Sequence, residues 1–303
     1  MSTLPTLLLC TLFSWTLPTP VEVADGWIAL FDGETFYGWQ PPLDTLGEIQ
    51  NGTLILRGGE CVHRCAFGKA TLRYEYHEGD GNWKTVTRAL ENTPPVLVAA
   101  EGKVTTFRKV FLRPERMEPL FNGENLDSWN QYPEMPGRFS VDCEKRRLLI
   151  QDGPGMLETK DSYGDFVLQA SIFTAAKNLN SGIFFRCIPG EKMNGYESQI
   201  HNGCKDGDRT QPLDAGTGAI FRRTTARYVP ANDEELFYKT IVANGPHFAV
   251  WVNGLQVTDW TDTRKANPNP RRGLRLEAGT IMLQAHDPTT DVYFQNIGIQ
   301  SLD

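Results

Sequence analysis

Short runs of alternating apolar and polar residues, bounded by Gly, Pro and Asn, recur along the last two thirds of the chain. Residues 166–175 alternate as a half-buried strand does, and Asn253-Gly254 between two apolar runs is typical of a hairpin with a type I′ turn. No long amphipathic helix is predicted. The other predicted strands cover residues 182–188, 196–201, 218–223, 237–243, 247–252, 255–257, 280–285 and 292–299. This pattern predicts an all-β protein built as a jelly-roll β-sandwich.

An internal duplication divides the chain. Leu-Phe-Asp-Gly-Glu at 30–34 recurs as Leu-Phe-Asn-Gly-Glu at 120–124, and residues 104–110 resemble the closing strand at 291–297. The first copy is much shorter, because it lacks a counterpart of residues 180–286. A shortened related β-domain over residues 25–113 is therefore predicted to precede a full sandwich over residues 118–303.

Charge and the N-terminus narrow the class of protein. The chain has 303 residues and a formal net charge of −7, which argues against nucleic acid or an anionic membrane as the main partner. Residues 4–17 form an apolar stretch of signal-peptide length, and we expect a cut near Ala24 and export to the periplasm or medium. No segment is expected to span a membrane. Cys61 and Cys65 lie close enough for a local disulfide, although plain thiols are equally compatible with the spacing.

Polar side chains with strong hydrogen-bonding groups lie on one face of three predicted strands. If these strands are neighbours in a curved sheet, their polar faces line one cleft, although each strand alone could simply face solvent. The side chains are Arg186 in the first strand, Glu197, Gln199 and His201 in the second, and Gln284 and His286 at the third.

The same segments resemble the 3-keto-disaccharide hydrolase domain family (DUF1080). Leu-Phe-Asn-Gly-Glu-Asn-Leu-Asp-Ser-Trp at 120–129 is similar to its opening signature, and Asn-Ser-Gly-Ile-Phe-Phe-Arg at 180–186 to its central motif. The remaining similar motifs follow in order at 195–200, 217–220, 252–254, 279–286 and 294–297. The sequence departs from the family pattern at His201-Asn202 and at Gln295.

The resemblance implies a concanavalin A-like jelly roll and an exported protein that cleaves 3-keto-glycosides, which a companion sugar oxidoreductase would supply. A ketone at C3 acidifies the C2 proton, so a base, an acid for the leaving oxygen and a group that stabilises the enolate are needed. Glu197 and His286 are the predicted base and acid, in either order, and Arg186 the stabilising cation. Residues predicted to bind the sugar are Gln199, Gln284, His201, Ser181 and Trp260.

Several alternatives stay open at this stage. No redox cofactor is required for the elimination, and no segment has the spacing of a calcium loop, so no metal is predicted. Arg186 could instead pair with Glu197 as a structural ion pair. A retaining glycosidase is less favoured, because Glu197 lacks an acidic partner in its strand. The domain could also be a carbohydrate-binding module without activity, and the first copy could dock a partner protein.

Overall fold

A computed structural model of the chain describes residues 17–40 and 46–302. Within these residues nearly all regular structure is β-strand, and the one helix, α1, is the short segment Pro20–Ala24. By compactness the chain divides into two units, residues 1–115 with 254–256 and residues 116–253 with 257–303. The prediction of an all-β fold is confirmed.

The first unit contains two antiparallel sheets. The larger sheet has the strand order β3-β4-β9-β6-β7, with β1 paired to β9, and the smaller sheet has the order β2-β5-β8. The strands are β1 (Ile28–Ala29), β2 (Trp39–Gln40), β3 (Gly47–Gln50), β4 (Thr53–Leu56), β5 (Gly59–His63), β6 (Ala70–Glu78), β7 (Lys84–Leu90), β8 (Val96–Ala99) and β9 (Thr105–Pro114).

The second unit begins with the short strands on either side of the repeated motif at residues 120–129, and the long strands of the sandwich follow. Its strands are β10 (Glu118–Pro119), β11 (Trp129–Gln131), β12 (Arg138–Asp142), β13 (Arg147–Gln151), β14 (Gly155–Thr159), β15 (Phe166–Thr174), β16 (Ser181–Cys187), β17 (Tyr196–Ile200), β18 (Cys204–Lys205), β19 (Asp208–Pro212), β20 (Leu236–Asn244), β21 (His247–Val252), β22 (Leu255–Thr261), β23 (Thr280–Ala285) and β24 (Asp291–Ser301).

Two large antiparallel sheets of the second unit form a jelly-roll sandwich. One has the order β12-β13-β24-β15-β20-β21-β22 with β10 paired to β24, and the other has the order β11-β14-β23-β16-β17. Aromatic residues join the two layers, because the ring of Phe185 in β16 lies 5.8 Å from that of Phe166 and 5.2 Å from that of Phe248. These three side chains are fully buried, so the core lies between the sheets.

The duplication is visible strand for strand. In the first unit β6 pairs with β7 and β9, as β15 pairs with β20 and β24 in the second. Each final strand carries a bulge at the same place, where Lys109 in β9 has φ 49° and Asn296 in β24 has φ 51°. The first unit is nevertheless less reduced than its sequence predicts. Strands β7 and β8 occupy the positions of β20 and β23, and the strands without a counterpart in the first unit are β16 and β17 of one sheet, β21 and β22 of the other, and the pair β18–β19.

The ends of most strands agree with the sequence pattern, and the difference at residues 218–223 has a clear cause. This segment is a turn in which Ile220 forms isolated bridges to Ser198 and to Thr224, and not a regular strand. Gly218 has φ +94°, a conformation that side-chain-bearing residues rarely adopt. The turn lies along the outer edge of β17, where the N–H of Gly218 donates to the Gln199 carbonyl at 2.9 Å.

The end of the predicted signal peptide is helical and packs on the first unit. The predicted signal peptide lies mostly outside the described residues, but its last residues form α1, and Glu22 of α1 pairs with Arg73 of β6. A cut near Ala24 would remove this ion pair.

All five described cysteines are free, so Cys61 and Cys65 are thiols and not a disulfide. None of the helices in the described part of the chain has the length and apolar character that crossing a bilayer requires.

The geometry at Gly218 leads to a stability prediction. A Cβ atom there would lie 2.4 Å from Cγ2 of Val257, so Gly218→Ala adds a steric clash to the cost of the left-handed backbone. We expect a loss of about 3 kcal/mol in the free energy of unfolding of the second unit. Gly207→Ala is the matched control, because Gly207 has φ +79° and open space around its Cβ position. It is expected to cost only about 1 kcal/mol in urea unfolding. Equal losses in the two variants would contradict the steric account.

Candidate functional site

A pocket of about 470 Å³ opens at the outer face of the sheet β11-β14-β23-β16-β17, on the side away from the core. Residues of β17 and β23, on either side of β16, form its floor, and residues 192–194, 221–222 and 271 form its walls. The lining residues are Asn180, Lys192, Met193, Asn194, Glu197, Gln199, Phe221, Arg222, Arg271, Gln284 and His286. A pocket of this size accommodates one or two sugar rings.

Four of the predicted site residues meet in this pocket. Glu197 and Gln199 extend from β17, Gln284 extends from β23, and His286 follows the end of β23. Strand alternation accounts for the arrangement, because β16 lies between β17 and β23 and the polar residues of both neighbours face the same side. The strand between them presents Gly182, where a Cβ atom would lie 2.9 Å from Oε1 of Glu197. The missing side chain leaves room for the carboxylate.

Glu197 is a buried carboxyl group with only partial charge compensation. The residue is 6% exposed, and its carboxylate oxygen Oε2 lies 3.4 Å from Nη2 of Arg271. Burial raises the pKa of Glu197 to about 7, against the opposing effects of Arg271, His286 and Lys239. Near neutral pH this group therefore exists in both protonation states, which is the property that a general base or acid requires.

Arg271 is the most important site residue that the strand pattern missed. It lies in the loop between β22 and β23, and its Nε donates to the Met193 carbonyl at 2.8 Å. An anchor fixes the loop from behind, since Arg264 binds the buried carboxylate of Asp262 and donates to the carbonyls of Pro270 and Gly273 at 2.9 Å each. Long-range contacts of this kind leave no periodic signal in the sequence.

Three amide side chains present unpaired acceptors to the pocket. Asn180 Oδ1, Gln199 Oε1 and Gln284 Oε1 are buried and have no hydrogen-bond partner among the described residues. The amide nitrogens of Asn180 and Gln199 both donate to the carboxylate of Asp214, which holds the two side chains in place. Buried acceptors without partners are costly, so this part of the pocket is suited to a ligand with several hydroxyl donors.

His286 lies at the rim, with 42% of its side chain exposed. Its Nδ1 is 2.8 Å from Oδ2 of Asp287, and hydrogen bonds from Thr289 and then His286 lower the pKa of that aspartate. Asp287 therefore stays ionised and holds the Nδ1–H form of the imidazole, which leaves Nε2 available for proton exchange.

The structure does not bring Arg186 to the pocket. A bulge in β16 lies between Phe184 and Cys187, and Arg186 adopts φ +48° within it. The bulge reverses the alternation, so Arg186 turns into the core and Cys187 takes the outward face beside Phe184. The Arg186 side chain is fully buried and binds Asp165 and the carbonyls of Gly164, Gly245 and Arg275. Neither the predicted enolate role nor an ion pair with Glu197 fits this position.

Three predicted sugar-binding residues also lie away from the pocket lining. His201 is buried, and its Nδ1 accepts the backbone N–H of Gly203 at 3.3 Å. Ser181 points to the core side of β16, where its hydroxyl donates to the Gln284 carbonyl at 2.8 Å. Trp260 packs on Phe248 at a ring distance of 5.8 Å. Within the described ranges no group of three or more His, Cys, Asp and Glu side chains could hold a metal ion.

Comparison with known proteins places this geometry in context. The model of the 3-keto-alpha-glucoside-1,2-lyase-like domain matches residues 116–300. No curated protein matches the chain. A candidate glycosyl hydrolase from Parabacteroides distasonis ATCC 8503 is 18% identical with a TM-score of 0.50, over 62% of this chain and 95% of that one. A second from the same organism is 26% identical with a TM-score of 0.46, over 62% and 100%.

A carbohydrate binding module, CBM66 from Bacillus subtilis, is 18% identical with a TM-score of 0.40, over 59% of this chain and 98% of that one. Among these structures, the first supports the sandwich fold of the second unit.

The raised pKa of Glu197 predicts a pH-dependent cost to stability. The folded state holds the proton more tightly than the unfolded state, whose glutamate has an ordinary pKa near 4.5. The contribution of Glu197 to stability therefore falls as the pH rises from about 4.5 through about 7, by up to roughly 3 kcal/mol. Glu197→Gln removes this loss, so its stability relative to wild type should increase between pH 5 and pH 8 in urea unfolding. Glu277→Gln, at a side chain 69% exposed, controls for the chemical change. A constant difference at both pH values would contradict the prediction.

Proposed function

Since the chain belongs to the family of 3-keto-alpha-glucoside-1,2-lyase-like domains, we propose that its second unit cleaves 3-keto-glycosides by β-elimination. The observation that carries this proposal is a single buried carboxyl group, Glu197, with a pKa of about 7, in a pocket that also contains an arginine and a histidine. This set matches the base, cation and acid that removal of a proton beside a ketone requires.

In the proposed reaction the carboxylate of Glu197 takes the proton from C2 of the 3-keto sugar. The C2–H electrons form the enolate with the C3 ketone and then expel the glycosidic oxygen, so that the C1–O bond breaks and a C1–C2 double bond forms. His286 acts in this step as the imidazolium, with a proton on each nitrogen: it gives the Nε2 proton to the departing oxygen, while its Nδ1–H stays hydrogen-bonded to Asp287. Addition of water to the unsaturated sugar would complete a net hydrolysis.

Arg271 takes the role that the sequence pattern assigned to Arg186. Its guanidinium is fixed by the Met193 carbonyl and lies over the ring of Phe184 at 5.2 Å, so it is held in place before a ligand arrives. A guanidinium stays charged and offers several donors in one plane. One donor faces Glu197, and others can bind the ketone oxygen as it becomes an enolate.

The buried amide oxygens support a sugar as the ligand. Gln199 and Gln284 are 1% and 6% exposed, and each has an acceptor without a partner among the described residues. The hydroxyl groups of a sugar ring would satisfy them and orient the C2 proton toward Glu197.

A mechanism with two carboxylates fits the pocket less well. Asp214 lies beside the pocket, and it already accepts hydrogen bonds from the pocket residues Asn180 and Gln199. Such an aspartate positions the amides and is not free to attack C1. The pocket thus favours elimination over a retaining glycosidase mechanism, which needs a second free carboxylate.

The chemistry also defines the cellular context that we propose. The substrate carries a ketone at C3, so an oxidoreductase that oxidises the C3 hydroxyl of a glycoside must act first. The apolar stretch at residues 4–17 supports export to the periplasm or medium.

An assay with a chromogenic 3-keto-glucoside tests this function. Wild type should release the aglycone, Glu197→Gln should lower kcat/KM by about 1,000-fold, and His286→Ala by about 100-fold, since a positioned base or acid contributes factors of this size. Arg271→Met should lower kcat as well, because the enolate loses its cation. Glu277→Gln is the matched control at an exposed site and should keep wild-type activity.

Two outcomes would contradict the proposal. Full activity of Glu197→Gln and His286→Ala would remove the assigned acid and base. Binding of sugars by wild type without turnover of any 3-keto-glycoside would instead identify a carbohydrate-binding module.

A further inference from the structure

A lysine is buried in the middle of the sandwich, directly behind the pocket strand. Lys239 belongs to β20, between Ala170 of β15 and Val252 of β21, and is only 1% exposed. Its neighbours on the same inward face of β20, Phe237 and Ile241, are fully buried apolar residues. A lysine in such surroundings costs several kcal/mol unless it is paired, so its presence needs a specific partner.

The partner is the backbone of β17 in the opposite sheet. Nζ of Lys239 donates to the carbonyl of Ser198 at 2.9 Å and to the carbonyl of Gln199 at 2.8 Å. Side chains on the other face of this strand, Glu197 and Gln199, line the pocket. Lys239 therefore crosses the whole core to bind the strand that carries the proposed base, without lining the pocket itself.

The charges of Lys239 and Glu197 also influence each other. Burial lowers the pKa of Lys239 well below its ordinary value, and the carboxylate of Glu197 opposes that effect. The cations that favour the ionised form of Glu197 are Arg271 and His286 at the pocket and Lys239 from the core. Arg271 and His286 are partly exposed, at 27% and 42% of their side chains, so solvent screens them more than it screens Lys239.

We propose that Lys239 is a positioning residue of the pocket, which fixes the backbone of β17 and keeps Glu197 able to accept a proton. It acts from behind the strand and touches no substrate. This inference rests on the proposed function for its catalytic meaning, but the coupling between the two side chains exists whether or not the protein turns over a 3-keto sugar.

The test is a titration of the Glu197 side-chain carboxyl by NMR in protein labelled with 13C-glutamate, with the resonance assigned by its loss in Glu197→Gln. In Lys239→Met, which keeps a long unbranched side chain, we expect the Glu197 midpoint to rise by about one pH unit because the core cation is gone. Thr240→Val is the matched control. Thr240 is its neighbour in β20 and is 5% exposed, and its hydroxyl accepts from Gln169, away from β17. This variant should leave the midpoint unchanged.

Activity gives the second measurement. In Lys239→Met, the limb of the kcat/KM pH profile that follows ionisation of Glu197 should shift to higher pH, by the same amount as the Glu197 midpoint. Activity at pH 7 should then fall about fivefold and recover at higher pH. A merely structural lysine would lower activity equally at all pH values. An unchanged Glu197 midpoint in Lys239→Met overturns the inference, whereas absence of turnover by wild type overturns the proposed function alone.

If Lys239→Met does not fold, the same coupling is measured on the Lys239 side chain of the wild-type protein. The 15Nζ resonance of Lys239 in wild type should shift with the midpoint of Glu197, and Glu197→Gln should abolish that shift. A Lys239 resonance that is the same in both proteins would contradict the proposal.

Discussion

Burial of charged groups in the sandwich core and in the pocket beside it is the constraint that organises the second unit. Arg186, Lys239 and Glu197 are 0%, 1% and 6% exposed, and each would be strongly destabilising if it were left alone. Both cations donate to backbone carbonyls, and Arg186 also pairs with Asp165, so they join segments that are distant in sequence. Glu197 is compensated least. It is also the one of the three that faces the pocket, and a carboxyl group with a raised pKa in a cleft is typical of functional sites.

The two units differ at the strands that carry the pocket. The first unit pairs β6 with β9 and the second pairs β15 with β24, with the same bulge in the final strand of each, but the first unit has no counterpart of β16 and β17. Those two strands and β23 carry the pocket floor. The first unit therefore keeps the sheet architecture of the repeat without the strand pair that positions Glu197 and Gln199.

Strand alternation allowed much of the fold and part of the site to be predicted from the sequence. It places Glu197, Gln199 and Gln284 on one face because β17 and β23 are regular and lie on either side of β16. It fails at Arg186, where one extra residue in β16 reverses the faces. It also cannot find Arg271, whose position depends on the Arg264–Asp262 pair and on the fold of a long loop. Regular strands are predictable by period, whereas bulges and anchored loops depend on distant contacts.

The paired bulges at Lys109 and Asn296 have a consequence for tracing the history of this domain. A left-handed residue in the middle of a strand cannot move by one position without turning every following side chain to the other face. Its place therefore outlasts the identities of the residues around it. In distant relatives of either unit, this backbone kink offers a fixed reference point from which the last strand can be aligned when side-chain similarity has faded.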